Sequence, residues 1–374
     1  MEKNFGIIGI EYQFPNYYVD QKDIAKKLNV DENKLLIGLG MLEMGVASSR
    51  EDPVTLAMGA VTRLLKKYNI ATKDVGKIEV GSESNYDGSK SIKTHLMSLF
   101  EDNTNICGCD NINACYGGTN ALFNALGWLE SSLWDGRYAI VVCTDICMYK
   151  EEQAIPTSGA GAVAMLLGPD CIFKITNSVH YSANTFDFMK PKELFPFPFL
   201  NGKLSIQVYN EAFQNCYNLI KNKKGNTEFF NYLCCHAPYA RLVEKIALSN
   251  EIPIEKVKES LLVPRRNANS YTASLYFSLI SLLYEKQGCK VGDTILMYSF
   301  GSGCVSSMFC LEKIRDGCNM PCLVERLNQR KKISPDKYFN IINNPNSMDD
   351  DEIPTSGFYI SSIEGYIRKY KKVE

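Results

Sequence analysis

Short apolar runs alternate with longer amphipathic stretches along the chain. The short runs predict buried strands at GIIGIEY, KIEVGSES, YAIVVCTDI, AVAMLLG, FFNYLCCHA and TILMYSFGSG. The longer stretches predict helices at LAMGAVTRLLKKY, SIKTHLMSLF, TNALFNALGWLESSLW, SIQVYNEAFQNCYNLIKN and SYTASLYFSLISLLYEKQG. This alternation is typical of an α/β fold with layered, partly parallel sheets, and no Pro/Gly/Ser-rich linker divides the chain.

Two parts of this pattern resemble each other. YAIVVCTDI is followed after a loop by GAGAVAMLL, and TILMYSF runs directly into GSGCVSSMF. Each offers a strand, a G-x-G and a further strand-like run. An internal duplication whose halves meet near residue 170 would explain the similarity, but the G-x-G pattern alone leaves coincidence open.

The last part of the chain is less regular. Residues 328–357 are polar and turn-rich and include an acidic triplet, Asp349 to Asp351, which predicts a solvated surface segment. The following FYISSIEGYIRKY predicts a final pair of strands that closes back on the body.

Composition narrows the functional classes. The 374 residues include 41 lysines and arginines against 42 acidic residues, for a net charge of −1. A protein that binds nucleic acid through its phosphates usually has a clear basic excess, so we expect no nucleic-acid partner. No apolar run reaches the ~18 residues of a membrane helix, so we expect no membrane span. Neither a signal nor a transit peptide is visible, which favours the cytoplasm.

The 14 cysteines are unevenly placed. In a long chain with no secretion signal a disulfide framework is not expected, and no C-x-x-C pair suggests a zinc site. Most of these cysteines are therefore predicted to be small buried hydrophobes, with one or two carrying chemistry. No metal is predicted.

Cys115 is the first candidate for chemistry. It lies in NACYGGTNALFNALGW, where a polar approach leads to a cysteine, two glycines and a helix. A helix N-terminus stabilises a thiolate and is expected to lower the pKa of the thiol. Backbone N–H groups nearby can also stabilise an oxyanion. The alternative is a structural cysteine beside a glycine turn.

A cysteine acyl-transfer site needs groups that move protons, and two residues are candidates. His236 follows the strand FFNYLCC, a favoured position for a catalytic group, whereas His95 and His180 are better explained as structural. Glu83 follows an apolar strand, where partial desolvation suits a carboxylate to proton transfer. An exposed loop acid is the alternative interpretation for Glu83.

At these residues the sequence resembles the 3-hydroxy-3-methylglutaryl-CoA (HMG-CoA) synthase family of condensing enzymes. The blocks that agree, in order, are IGLGMLEMG with REDPVTL, VGSESNYDGSKSIKT, NACYGGTNALFNALGWLESSLWDGRYAIVV, PTSGAGAVAMLLGP, FDFMKP, NGKLSIQVY, HAPYARLVEK, NSYTASLY and SFGSG. They extend from about residue 7 to residue 310, and the tail is similar to the family's closing strands.

The resemblance implies a thiolase-like α/β fold, internally duplicated and layered α-β-α-β-α, in a homodimer. It implies an N-terminal half, residues 1–170, with the nucleophile, and a C-terminal half, residues 171–374, with the catalytic histidine. The family's cysteine, histidine and glutamate correspond to Cys115, His236 and Glu83. These are the three residues that the chemistry selects.

The resemblance also implies a set of substrate-binding residues. Those expected near the acyl group or thioester are Asp145, Tyr149, Thr157, Asp187, Ser205, Asn269 and Ser302. Those expected to contact coenzyme A are Asp31, Glu32, Lys34 and Lys245. The chain departs from the family at Arg241, where a lysine is usual, and at Gln153, Ile155 and Ser158. An arginine can still hold a phosphate, so we expect Arg241 to bind coenzyme A. Gln153, which stands where the family has an asparagine, is also expected to bind substrate.

The implied reaction joins acetyl-CoA to acetoacetyl-CoA with water, through an acetyl-cysteine, and gives HMG-CoA and CoA for the mevalonate pathway. The resemblance implies no cofactor beyond these thioester substrates. A ketoacyl synthase acting on CoA or carrier-protein thioesters is one alternative, but such enzymes use Cys-His-Asn and need no glutamate base. A non-catalytic acyl-CoA-binding relative is another, and it would be expected to lack a member of the triad.

Overall fold

The computed structural model describes residues 4–226, 228–344, 347–348 and 353–374. The strands are β1 Gly6–Gln13, β2 Tyr17–Asp20, β3 Glu43–Val46, β4 Val75–Gly81, β5 Asp110–Asn111, β6 Tyr138–Cys147, β7 Gly159–Gly168, β8 Phe173–Ser182, β9 Phe188–Met189, β10 Phe199–Leu200, β11 Tyr232–Cys235, β12 Thr294–Gly301, β13 Val305–Lys313, β14 Lys331–Lys332, β15 Phe358–Glu364 and β16 Ile367–Lys372.

Helices connect most of these strands. The α-helices are α1 Gln21–Lys27, α2 Pro53–Tyr68, α3 Ile92–Leu96, α4 Gly117–Leu129, α5 Gly202–Lys224, α6 Ala240–Ser249, α7 Leu262–Asn267, α8 Ser274–Glu285, α9 Leu323–Asn328 and α10 Pro335–Asn343. A π-helix spans Lys34–Leu39. Short 3₁₀ turns occur at Thr72–Asp74, Met97–Leu99, Ile155–Thr157, Ile254–Lys256, Lys258–Leu261 and Tyr271–Ala273.

One mixed sheet organises the described residues. Its nine strands lie in the order β11-β12-β13-β8-β1-β7-β6-β4-β5. The pairs β11–β12, β4–β6 and β4–β5 are parallel, and the pairs between β12 and β6 in this order are antiparallel. This partly parallel arrangement confirms the α/β prediction, and it places β1 in the middle of the sheet.

Alternation along the strands divides the interior into separate cores. On β6, Val141 and Cys143 face a core that contains α4 and α8, whereas Ile140 and Val142 face α2 and α3. Strand β12 alternates in the same way between the α4 and α8 core and a second outer core with α5 and α6. Because successive strand side chains point to opposite faces, each sheet region is covered by helices on both sides.

Helix α2 shows how the sequence fixes an element boundary. The side chains of Asp52 and Thr55 form a reciprocal capping box with each other's backbone N–H groups, and Pro53 begins the helix. The helix ends at Tyr68 and is capped by Asn69, whose φ of 51° is a left-handed conformation that asparagine tolerates. The prediction of a helix over 56–68 is therefore confirmed and extended by one turn towards its N-terminus.

The prediction of a solvated segment at 328–357 is wrong for its first part. Residues Ile333, Tyr338 and Ile342 are buried in a core with β2 and β3. Arg330 is also buried and pairs with Glu43 at 2.5 Å. Polar residues on the outer side of α10 conceal its apolar face in the sequence. The acidic triplet Asp349 to Asp351 lies outside the described residues.

The predicted closing strand pair is confirmed as β15 and β16, which pair antiparallel. The pair returns to the start of α2, where Arg368 Nη1 lies 2.9 Å from Asp52 Oδ2. The Tyr370 hydroxyl donates to the same oxygen at 3.0 Å. The Asp52 carboxylate therefore caps α2 and anchors the hairpin.

The cysteines are distributed as the composition suggests. All 14 are free thiols, and Cys107, Cys109 and Cys322 are exposed while Cys115 is partly exposed. The others are buried, so most act as small apolar side chains. Over the described residues, no helix is long and apolar enough to cross a membrane, and no group of three metal-ligating side chains is assembled.

Candidate active site

Cys115 lies two residues before α4, in a loop whose backbone is held closely. Ala114 has a φ of 43°, a left-handed conformation, and directly precedes the cysteine. Gly301, at the end of β12, packs against the same loop, and a Cβ built there would lie 2.4 Å from Asn113 O. Only glycine allows this approach. As a result the Cys115 loop and Ser302 lie together at the wall of a cavity.

Glu83 reaches Cys115 from the next part of the sheet. It follows β4, and its Oε1 accepts a hydrogen bond from Cys115 Sγ at 3.4 Å. The glutamate side chain is only 6% exposed. The structure therefore brings together two residues that are 32 positions apart in sequence, and excludes the interpretation of Glu83 as an exposed loop acid.

Asp145, near the end of β6, holds the backbone around Glu83. Its Oδ1 accepts hydrogen bonds from Ser82 Oγ, Glu83 N and Ser84 Oγ at 3.0, 2.8 and 2.7 Å. Its Oδ2 accepts from Thr272 N and Oγ1 at 3.0 and 2.5 Å. Burial, and then the nearby Glu83, raises the pKa of Asp145 to about 6. Asp145 thus ties the Glu83 loop to the segment before α8.

Lys190 is the main residue at this site that the sequence analysis missed. It directly follows β9, and its Nζ lies 3.1 Å from Glu83 Oε2 and donates to Glu83 O at 3.1 Å. The sequence did offer a signal, because FDFMKP places a lysine two residues after Phe188 and three residues after Asp187. A lysine in such a run must find a counter-charge if it is buried.

The expected direction of the pKa of Cys115 is wrong. Burial, with Glu83 and Asp145 next in order, raises the pKa of the thiol well above its usual range. The helix N-terminus that was expected to lower it starts only at Gly117. Cys115 is therefore a thiol at rest, and it needs a proton acceptor. Glu83 Oε1 is in position to be that acceptor.

His236 follows β11 and lines the same cavity as Cys115. Its backbone N–H donates to Tyr298 O at 2.8 Å, and its carbonyl accepts from the Tyr209 hydroxyl at 2.8 Å. Its Nδ1 is buried and has no hydrogen-bond partner among the described residues. Burial lowers the pKa of His236 to about 3, so the imidazole is neutral at neutral pH.

The other two histidines lie outside this cavity's described lining. His180 Nδ1 lies 2.7 Å from Ser307 Oγ. His95 lies 3.4 Å from the Tyr86 hydroxyl and packs edge-on against Tyr370. Both have structural partners, as expected.

The cavity has a volume of about 920 Å³. Besides Cys115 and His236, it is lined by six of the predicted substrate-binding residues: Tyr149, Gln153, Thr157, Ser205, Asn269 and Ser302. These residues come from loops between β6 and β7, from α5, and from the segments before α8 and after β12. Phe188, Leu200 and Phe300 add apolar surface.

The remaining predicted contacts are not among the lining residues. Asp187 is buried, and its Oδ1 accepts from Thr185 Oγ1 at 2.7 Å and Gly303 N at 3.1 Å. Arg241 forms an ion pair with Glu244 at 2.7 Å. Four others are exposed at the surface: Asp31, Glu32, Lys34 and Lys245. The π-helix that begins at Lys34 ends at Leu39, which lines the cavity.

Two of the departures from the family pattern are structural in this chain. Ile155 is buried in the core beside α10. Ser158 accepts a hydrogen bond from the Tyr338 hydroxyl at 3.3 Å. Both side chains therefore pack against the C-terminal helix rather than face the cavity.

The chain is similar to known proteins over nearly its whole length. The family model described as hydroxymethylglutaryl-coenzyme A synthase N terminal matches residues 1–172, and the corresponding C terminal model matches residues 172–248 and 244–357. The chain is 36% identical over 409 residues to the cytoplasmic hydroxymethylglutaryl-CoA synthase of Homo sapiens, covering 90% of this chain and 79% of that one. It is 35% identical to the mitochondrial enzyme of Mus musculus, covering 91% and 82%.

A solved structure, MvaS in complex with 3-hydroxy-3-methylglutaryl coenzyme A, matches over 100% of both chains. Its TM-score is 0.89 and its sequence identity is 26%. This match confirms the thiolase-like α/β architecture that the resemblance implied.

Proposed function

The chain belongs to the hydroxymethylglutaryl-CoA synthase family, and we propose that Cys115, Glu83 and His236 carry out its reaction, the condensation of acetyl-CoA with acetoacetyl-CoA. One observation supports these roles above all others. The 3.4 Å contact between Cys115 Sγ and Glu83 Oε1 lies beside a cavity that His236 also lines. A nucleophile, a base and a polarising group are therefore available to one bound substrate.

In the first half-reaction, the Cys115 proton moves to Glu83 Oε1 as the sulfur attacks the carbonyl carbon of acetyl-CoA. The carbon–sulfur bond to coenzyme A breaks, and the CoA sulfur leaves with the proton that Glu83 returns, so that Glu83 is again a carboxylate. The products are an acetyl thioester on Cys115 and free CoA. The neighbouring base offsets the raised pKa of the partly buried thiol.

In the second half-reaction, Glu83 removes a proton from the methyl group of acetyl-Cys115. The resulting enolate carbon attacks the ketone carbon of acetoacetyl-CoA, and the ketone oxygen takes up the proton from Glu83 to become the hydroxyl. The neutral His236 imidazole donates a hydrogen bond to that oxygen as negative charge develops. Water then cleaves the thioester, which releases the product carboxylate and restores Cys115.

The cavity supports binding of the acyl and thioester part of the substrates. Ser205, Asn269 and Ser302 supply polar groups along a largely apolar wall. We propose that Lys34, Arg241 and Lys245 bind the phosphates of coenzyme A. Lys34 belongs to the π-helix, Arg241 and Lys245 belong to α6, and both helices contribute residues to the cavity lining. Asp31 and Glu32 would then contact the nucleotide portion, and Asp187 supports the pocket through its bond to Gly303 N.

We propose a duplicated organisation with halves at 1–170 and 171–374. Two sets of four neighbouring strands support this proposal: β1-β7-β6-β4 in the first half and β8-β13-β12-β11 in the second. In both sets the successive strand pairs are antiparallel, antiparallel and parallel. A homodimer is also proposed. The edge strand β5 is followed by Ile112, three residues before the nucleophile. The Ile112 side chain is 74% exposed, and a second copy of the chain would cover both it and the strand edge.

The mevalonate pathway is the predicted consumer of the product, and the relatives are found in both the cytoplasm and the mitochondrion. The cytoplasm is proposed for this chain.

The decisive experiment measures acetoacetyl-CoA consumption with and without acetyl-CoA, alongside the intact mass of the protein. Consumption that depends on acetyl-CoA, with an acetyl adduct that maps to Cys115, is the expected result. An adduct on another cysteine would refute the proposed nucleophile.

A further inference from the structure

We propose that Lys190 is a positioning residue whose ammonium group holds the Glu83 carboxylate as an anion aimed at Cys115. The inference rests on the proposed role of Glu83 as the base. It adds to that role a specific counter-ion, supplied by the loop after β9.

The geometry restrains Glu83 at two points. Lys190 Nζ lies 3.1 Å from Glu83 Oε2 and also donates to the Glu83 carbonyl oxygen at 3.1 Å. The other carboxylate oxygen, Oε1, is left to Cys115 Sγ. Because the ammonium contacts both the side chain and the backbone of Glu83, it fixes which oxygen faces the nucleophile.

Aromatic rings enclose the ammonium group. Nζ lies 4.5 Å from the ring centroid of Tyr271 and 5.9 Å from that of Phe188, and the lysine side chain is 11% exposed. Phe188 and Tyr271 line the cavity, whereas Lys190 is not among its described lining residues. Lys190 therefore acts on substrate only through Glu83, and its charge is little screened by solvent.

The charge is needed because the surroundings of Glu83 are otherwise neutral or acidic. The titratable groups around it are Cys115, Asp145, Cys147 and Tyr271. Burial raises the pKa of Cys147 to about 12 and raises the pKa values of Cys115 and Tyr271 well above their usual ranges, so these three are uncharged at neutral pH.

Asp145 is the remaining group, and it is a second carboxyl. Two buried carboxyl groups near each other tend to share a proton unless a cation is present. In the part of the chain that the structure describes, Lys190 is the only cation within 4.0 Å of Glu83. Burial alone would lower the pKa of Lys190, but Glu83 and Asp145 outweigh it, so the pKa is raised and the ammonium persists.

The ion pair fits both proton transfers. Oε1 receives the proton first from Cys115 Sγ and later from the acetyl methyl carbon, while Oε2 stays with Lys190. Each time Glu83 is protonated, the ammonium loses its counter-charge. That favours return of the proton to the leaving CoA sulfur, or to the new hydroxyl oxygen, and restores the carboxylate for the next step.

The test compares pH–rate profiles of condensation between pH 5 and 9 for the wild type, Lys190→Met, Lys190→Gln and Lys190→Arg. The matched control is Lys192→Met, an exposed lysine two residues away. Losing the counter-ion makes Glu83 easier to protonate. In the pH–rate profiles of Lys190→Met and Lys190→Gln we therefore expect the acidic limb to shift to higher pH by about 1–3 pH units. Lys190→Arg and Lys192→Met are expected to keep the wild-type limb.

A structural role alone would lower the rate equally at all pH values. Unchanged acidic limbs in both neutral variants, at any overall rate, would overturn the inference, and Lys190→Gln decides it if Lys190→Met does not fold. Glu83→Ala is measured in parallel. If Glu83→Ala keeps normal condensation, the assignment of the base fails; if it is inactive while the limbs stay unchanged, only the role of Lys190 fails.

Discussion

Cys115 Sγ donates a hydrogen bond to Glu83 Oε1 across 3.4 Å, although the two residues lie 32 positions apart in sequence. The carboxylate comes from the loop after β4 and the thiol from the loop before α4. One base therefore stands beside both the thiol to be activated and the acetyl group that the thiol later carries. The two half-reactions share one proton acceptor.

Replacing Cys115 with alanine is expected to abolish acetyl-enzyme formation, because the nucleophilic sulfur is lost. Intact-mass measurement after incubation with acetyl-CoA checks this. Cys322→Ala, which removes an exposed thiol, is the control and should still gain one acetyl group. A stable adduct on the Cys115→Ala protein would mean that a different thiol is the nucleophile.

Glu83→Ala should separate the two half-reactions. Acetylation of Cys115 is expected to reach full stoichiometry slowly, since the thiol loses its proton acceptor but some thiolate always forms. Condensation has no substitute base for the methyl proton, so turnover should fall on the order of 10²–10⁴-fold. Rapid-quench acetylation and steady-state turnover are measured together. Normal turnover in this variant would remove Glu83 from the mechanism.

His236 predicts a pH dependence of stability. Its pKa is about 3 in the folded protein against the usual 6.5, so between these values the unfolded chain binds more protons than the folded one. The contribution of the neutral imidazole to the free energy of unfolding is complete above pH 6.5 and is lost as the pH falls towards 3. At pH 5 the loss is about 2 kcal/mol, from 1.36 kcal/mol per pH unit.

Urea unfolding at pH 7.5 and pH 5.0 checks this for the wild type and for His236→Gln. The variant lacks the titration, so the difference in unfolding free energy between the two proteins should shift by about 2 kcal/mol in the variant's favour at pH 5.0. The same difference at both pH values would show that the imidazole is not held neutral.

Gly301→Ala is expected to damage the site through its geometry. The added Cβ would lie 2.4 Å from Asn113 O and 2.7 Å from Tyr116 N, so the Cys115 loop must shift. Turnover should fall by at least tenfold, because small displacements of a reacting group are costly. Gly127→Ala, on the exposed side of α4 with no atom within 4 Å, is the control and should stabilise the protein by about 0.5–1 kcal/mol.

Much of the fold follows from hydrophobic pattern. The alternation of Ile140 and Val142 against Val141 and Cys143 predicts a strand buried on both faces, and β6 is such a strand. The α10 region could not be predicted in this way, because asparagine and lysine hide an apolar face of only a few residues. Its burial depends on a core built from β2 and β3, far away in sequence.

The candidate site also combines features that the sequence predicts with features that depend on the folded structure. Residue type and flanking glycines select Cys115, and strand ends select Glu83 and His236. The direction of the pKa of Cys115 depends on how deeply the thiol is enclosed, which local sequence does not reveal. Lys190 could be found only once the fold placed the loop after β9 against Glu83, 107 positions away.

The central position of β1 has a consequence for synthesis of the chain. Tyr12 pairs with Val163, so β1 has no neighbour in the sheet until about 150 more residues have been made. At translation rates of about 5–20 residues per second, this apolar strand waits roughly 8–30 s for its partners. The nascent chain must be protected from aggregation throughout that interval, so its yield in a cell should depend on chaperones that bind exposed apolar segments.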